Sequence, residues 1–326
     1  MMGALTPCPP WLLSQARQLL TTANANRLHH ALLLAGVHGI GKSLFAQWLA
    51  ESLLCRQRTA EGACGECDSC RQVLSDAHPD LFTVRASGAS ATIKVDEIRE
   101  LLDWMQLTAG VGSYRIALVH DADTLNRHAA NSLLKTLEEP AAHAVIVLCA
   151  TQPGRLPATV RSRCQALKLM VDDEQTAVQW LNQQNVSDAE QALAEAGYAP
   201  LLAVSRQSPE YQEVQQLLIK AWTDLLLHQA SVGKTAESLA ELELSDCLSQ
   251  FSQWCLCALK ESSSLPVNAN ADVLHMLSQT QGKLSDEQWF TLHERLLQLH
   301  RVDSASFKAK TVLEGLFADI RLMINS

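Results

Sequence analysis

Residues 36–43, Gly-Val-His-Gly-Ile-Gly-Lys-Ser, have the composition of a phosphate-binding loop. Gly36, Gly39 and Gly41 let the backbone close round an oxyanion with its N–H groups turned inward. The helix that follows adds the positive end of its dipole. In such a loop Lys42 reaches the β- and γ-phosphates and the Ser43 hydroxyl ligates Mg²⁺. Splitting a phosphate also needs one carboxylate to hold the magnesium shell and one to orient water, both at the end of a neighbouring strand. The run Ile116–Asp121 is where they belong, and its two acidic places hold His120 and Asp121. Neutral imidazole is a poor ligand for a hard ion. Shifting the register so that Asp121 holds magnesium leaves Ala122 in the second place. Either way one carboxylate is missing, so binding of ATP and Mg²⁺ is allowed and turnover is not expected. Asp123 reads as an ordinary helix cap or surface charge.

A second group is metal-ligating. Cys55, Cys64, Cys67 and Cys70 crowd into sixteen residues, the last three two residues apart. Four thiolates in tight turns complete a closed tetrahedral zinc shell, which leaves no place for a reactive water and so implies a structural role. An iron–sulfur cluster or unliganded thiols would use the same four residues. The other six cysteines are scattered and read as small apolar fillers, Cys149 in a buried strand and Cys255 and Cys257 in a helical region. His29, His30 and His78 lack metal-ligand spacing to one another and are expected to be structural.

Alternating strands and helices must position these groups. Short apolar runs predict strands at 30–36, 81–85, 115–120, 144–151 and 165–170. Helical periodicity predicts helices over 11–28, 43–55, 95–106, 126–140 and 158–164. Asp96 is the expected N-cap of the third helix, and Pro140 the stop of the fourth. Strands too continuously apolar to have a solvent face predict a parallel α/β sheet covered on both sides. Beyond residue 171 the strands end. Two short helices with acidic caps and the segment 199–207 precede a linker at 205–210, and 210–326 is helical almost throughout. The plan is three domains: a nucleotide-fold domain over 1–170 with the cysteine insertion, a small helical lid over 171–207 and a helical collar over 208–326. Trp222, Trp254 and Trp289 lie on amphipathic helices as core or interface anchors.

Composition sets outer limits. A chain of 326 residues is long enough for two or three domains. A net charge of −9 argues against a free-standing, non-specific nucleic-acid binder. No stretch approaches the roughly 20 apolar residues of a membrane span, and the first residues lack the basic n-region of a secretory signal. The expected location is the cytoplasm, where disulfides are rare.

The sequence resembles the clamp-loader branch of the AAA+ ATPases. The likeness rests on "HHALLLAG", the loop at 36–43, the cysteine cluster, "HPD" at 78–80, "NSLLKTLEEP" at 131–140 and "CATQPGRLPATVRSRC" at 149–164. The resemblance implies a heteropentameric machine that uses ATP to open a sliding clamp and place it on primed DNA. Its partners would be motor (gamma/tau) and delta subunits, and through them the clamp and the DNA. It also implies that Arg163, in the Ser-Arg-Cys motif, is supplied in trans to a neighbour's nucleotide, with Arg161 beside it as the residue open to confusion. Thr151 falls where the family's first sensor sits. Where motor subunits carry a second-domain arginine, 195–207 offers Ala199 and Pro200, with Arg206 displaced toward the end. With His120, that makes two catalytic elements absent, and the resemblance implies a stator that serves partners. The rival readings are an autonomous motor ATPase and a zinc-dependent DNA-binding module.

Overall fold

A computed structural model of the chain describes residues 4–86, 92–107, 114–299 and 309–325. They form two compact units that divide between Val204 and Ser205.

The first unit is built on five parallel strands: β1 (Ala31–Ala35), β2 (Leu81–Val84), β3 (Arg115–Val119), β4 (Ala144–Ala150) and β5 (Gln165–Lys168), in the order β2-β3-β4-β1-β5. The sheet is parallel throughout, as the continuously apolar runs predicted. Successive side chains of a strand face opposite ways, and the two faces carry separate cores. Leu32, Leu34, Ile116, Leu118, Val145 and Val147 lie in one. Ala31, Leu33, Ala117, Val119, Ile146 and Leu148 lie in the other. Every residue of β3 and β4 is buried, so neither strand could alternate with polar residues.

The helices of this unit are α1 (Leu13–Asn24), α2 (Lys42–Leu54), α3 (Asp68–Leu74), α4 (Val95–Met105), α5 (Arg127–Ser132), α6 (Leu134–Glu138), α7 (Ala158–Arg161), α8 (Glu174–Gln183), α9 (Ala189–Glu195) and α10 (Pro200–Ser205). Leu19, Leu49, Leu181 and Leu193 pack on one face of the sheet, and Ile98, Ala129 and Val160 on the other. The helix expected over 126–140 is two helices that part at Leu133, and it ends at Glu138, before Pro140. Asp96 is not the N-cap of α4. Lys94 is, because the Glu97 carboxylate reaches back to accept its backbone N–H at 2.7 Å, while Asp96 pairs with Arg99. Residues 171–204 share the core of the sheet, through Ala177, Leu181, Val186, Leu193 and Ala203, and so belong to the same compact unit.

The second unit consists of α11 (Pro209–Leu226), α12 (Val232–Ser238), α13 (Leu244–Ser262), α14 (Ala271–Thr280), α15 (Asp286–Leu299) and α16 (Ala309–Asn325). Ser208, Ser231 and Asn270 cap their helices by accepting a backbone N–H. Trp222, Phe251 and Trp254 meet at the centre, with ring centroids 4.5–5.9 Å apart, the first two stacked and Trp254 edge-on to Trp222, and Trp289 and Phe317 close the cluster. The three tryptophans are therefore core residues. Among the described residues no helix is long and apolar enough to cross a membrane.

Candidate functional site

The loop between β1 and α2 turns through left-handed backbone at Gly39 and Gly41, with φ of +79° and +100°. Such angles favour glycine. Space excludes a side chain as well: a Cβ on Gly39 would lie 2.7 Å from the backbone nitrogen of Leu202. The loop carbonyls are engaged from within the chain. The Lys42 ammonium donates to Gly36 O and Val37 O at 2.9 and 3.0 Å. The Trp11 indole donates to Ile40 O at 2.8 Å, and the Leu201 N–H, in the first turn of α10, donates to Gly39 O at 3.0 Å. Lys42 is buried, and burial holds its amine below the ordinary range, against the opposing pull of Cys149, Asp123 and Asp121. At α10 the side chains that meet the loop are Leu201 and Leu202, so the lid brings apolar groups there.

His120 stands at the end of β3 and its Nδ1 lies 3.1 Å from the Ser43 hydroxyl. Sequence reasoning recognised the missing acid. The structure adds that the imidazole takes the hydroxyl a magnesium ion would need. The side chain is 1% exposed, and burial, with help from the Arg85 charge, pulls its pKa down to about 4. At neutral pH the ring is uncharged. Asp121 is exposed on a left-handed residue. Asp123 accepts the backbone N–H groups of Thr151 and Gln152 at 3.1 and 2.7 Å. It braces the end of β4 and is neither a helix cap nor a loose surface charge. Thr151, the expected sensor position, is held through its backbone by this brace. The donor set at Ser43 is thus nitrogen and not carboxylate oxygen, and Mg²⁺ does not fit it.

The four cysteines converge as their spacing predicts. Their sulfurs lie within 4.8 Å of one another, a donor set that could hold a metal ion. Cys55 to Cys67 and Cys64 to Cys70 are 3.9 Å apart, and Cys67 to Cys70 is 3.5 Å. A tetrahedral site with metal–sulfur bonds of about 2.3 Å needs edges of about 3.8 Å. Backbone N–H groups of Gln57 and Cys64 point at the Cys55 sulfur, both at 3.3 Å. The amides of Glu66 and Cys67 pull the Cys64 thiol below its ordinary value, toward thiolate. Cys55 ends α2 and Cys67 begins α3, so a bound ion would staple these helices. The module is tied to the sheet by residues that were expected only to be structural. His78 Nδ1 accepts the Asp80 N–H at 3.1 Å, its Nε2 faces Ser69 Oγ at 2.9 Å, and Ser69 donates to Leu54 O at 2.7 Å.

Arg163 follows α7. Its Nε donates to the Glu138 carboxylate at 2.8 Å, a second guanidinium nitrogen pairs with the same oxygen, and Nη1 donates to Thr159 O at 2.8 Å. It is partly exposed, and its partners among the described residues are Glu138, Thr159 and Ser162, none of them in the loop at 36–43. Arg161 is exposed. The Glu138 contact was not foreseen. Its signal was the Leu-Glu-Glu-Pro run, which the sequence reading used as a motif without a charge partner.

The family model described as DNA polymerase III, delta subunit matches residues 13–173. A DNA polymerase III subunit delta' of Pseudomonas aeruginosa is 34% identical over 71% of this chain and 72% of its own length. The delta' of Escherichia coli is 37% identical over 57% of this chain and 55% of that protein, so this alignment spans about half of that relative. A tau subunit of Salmonella typhimurium is 38% identical over 56% of this chain but only 29% of its own length. Tau therefore matches little more than half of the chain and less than a third of itself, whereas the first delta' aligns along most of both. On that footing the chain belongs to the delta-prime family of DNA polymerase III subunits.

Proposed function

We propose that the chain serves as the stator of a DNA polymerase III clamp loader, aiding ATP-dependent loading of the sliding clamp on primed DNA without splitting ATP itself. The observation that carries this reading is His120 against Ser43, inside a phosphate loop that is otherwise whole. A subunit able to receive phosphates but lacking the carboxylate that holds magnesium suits a structural member of the ring. Its neighbours are motor (gamma/tau) and delta subunits. Gamma and tau sequences match about half of it, which supports subunits built on one architecture.

In this reading Arg163 leaves Glu138 and stabilises charge on a neighbour's transferring phosphoryl group. The residues at 36–43 form a loop open to nucleotide phosphates. Cys55, Cys64, Cys67 and Cys70 hold zinc. Residues 171–207 serve as a small helical lid packed on the nucleotide-fold domain, the helices from 208 onward form the collar, and the machine works in the cytoplasm.

The test is reconstitution with motor, delta and clamp subunits, comparing DNA-stimulated ATPase for wild type, Arg163→Ala and Lys42→Ala. Arg163→Ala is expected to cut the assembly's rate by a factor of about 10 or more, the other sites limiting a loss of about 10³–10⁵ at the one the finger serves, while Lys42→Ala leaves it near wild type. The rival, a motor ATPase, is favoured by the intact loop. It predicts the opposite ranking and multiple turnover by the isolated chain.

A further inference from the structure

We propose that the loop at 36–43 takes a nucleoside polyphosphate without a divalent cation, His120 filling the place of the carboxylate that would anchor the ion. The inference rests on the reading of 36–43 as a phosphate loop. The parts that grip phosphate directly are present: Gly39 and Gly41 in left-handed backbone, Lys42, and the start of α2. Two of the parts that would grip magnesium are otherwise committed, and the third stands without the second carboxylate. Ser43 is bonded to His120, Asp123 accepts two backbone amides, and Asp121 is exposed at a turn.

The charge pattern points the same way. When Ser43 donates to Nδ1, the hydrogen of the neutral ring is on Nε2. That atom is buried and has no partner among the described residues. A buried N–H without an acceptor is costly, and with Nδ1 taken by the hydroxyl the neutral ring offers a cation no free lone pair. Arg85 adds positive charge at the same place. Lys42 donates to two loop carbonyls, bonds it can exchange for phosphate oxygens, which accept more strongly because they are charged. The ligand class is thus a free nucleoside di- or triphosphate. The ordinary magnesium complex is held no better than the bare anion.

The test uses the purified full-length chain and fluorescently labelled ADP and ATP, titrated with Mg²⁺ and again with a chelator. Wild type should bind with affinities that differ by less than about threefold between the two buffers. His120→Asp should restore an oxygen ligand, and magnesium should tighten its binding by about tenfold or more. Electron paramagnetic resonance with Mn²⁺ reads the ion separately: no Mn²⁺ should be immobilised with the nucleotide on wild type. This arm decides the matter even if His120→Asp does not fold. Tightening of wild type by about tenfold with Mg²⁺, or stoichiometric Mn²⁺ beside the nucleotide, overturns the proposal. If wild type binds in neither buffer while His120→Asp binds with magnesium, the proposal falls and the phosphate-loop reading stands. Binding by neither protein removes both.

Discussion

Asp80 and Arg115 meet at 3.1 Å with side chains 0% and 7% exposed, and the guanidinium also lies 4.6 Å from the centre of the Trp104 ring. Removing one member of a buried pair leaves the other charge uncompensated. Asp80→Ala is therefore expected to destabilise the first unit by about 3–5 kcal/mol, measured by urea unfolding. His78, two residues away, gives a pH signature. Burial, with the Arg56 charge, holds its imidazole below the ordinary 6.5, against the pull of Asp80. Above that value the residue is neutral in both folded and unfolded chains, and its contribution is intact. As the pH falls below it, the unfolded chain takes up the proton first, and stability is lost until the folded imidazole is protonated as well. Urea midpoints followed from about pH 8 to pH 5 should fall at the acid end. The fall should be shallower in His78→Gln.

At the scale of elements, the glycine loop and α10 are one mechanical joint. Gly39→Ala would place a methyl group 2.5 Å from the Leu202 Cβ, on backbone that disfavours any side chain. The expected result is faster hydrogen exchange along α10 (Pro200–Ser205) and a loss of about 1–3 kcal/mol. Gly154→Ala, with nothing near its added carbon, is the silent control. This joint also marks where sequence reading stopped. Strands β3 and β4 were legible because burial on both faces leaves them apolar runs, with Arg115 at the start of β3 the one charged exception. The cysteine site was legible because its ligands recur within one short stretch. The Leu201 to Gly39 bond was not, since it joins residues far apart in the chain through backbone atoms that carry no residue code. The His120 to Ser43 contact spans 77 residues, and only the absence of an acid hinted at it. Asp96 misled because a first-turn carboxylate and a cap look alike until Glu97 is seen to reach back to Lys94.

At the scale of the whole molecule, each unit has its own core, so unfolding is expected in two transitions. Trp222→Ala should lower only the one belonging to 205–326, by about 3–5 kcal/mol. A strong zinc chelator should lower only the other, because the cysteine staple lies between α2 and α3. Calorimetry separates the two. The ion pair of Arg163 with Glu138 is weak enough to be exchanged. Its side chains are 35% and 52% exposed, and pairs so wet are worth about 0–1 kcal/mol. Glu138 is thus a safety catch with a light spring. It parks the guanidinium in one pose at little energetic cost. In the proposed stator, that pair would yield to a more highly charged group on a docked neighbour, so that help to another subunit would switch on with assembly itself.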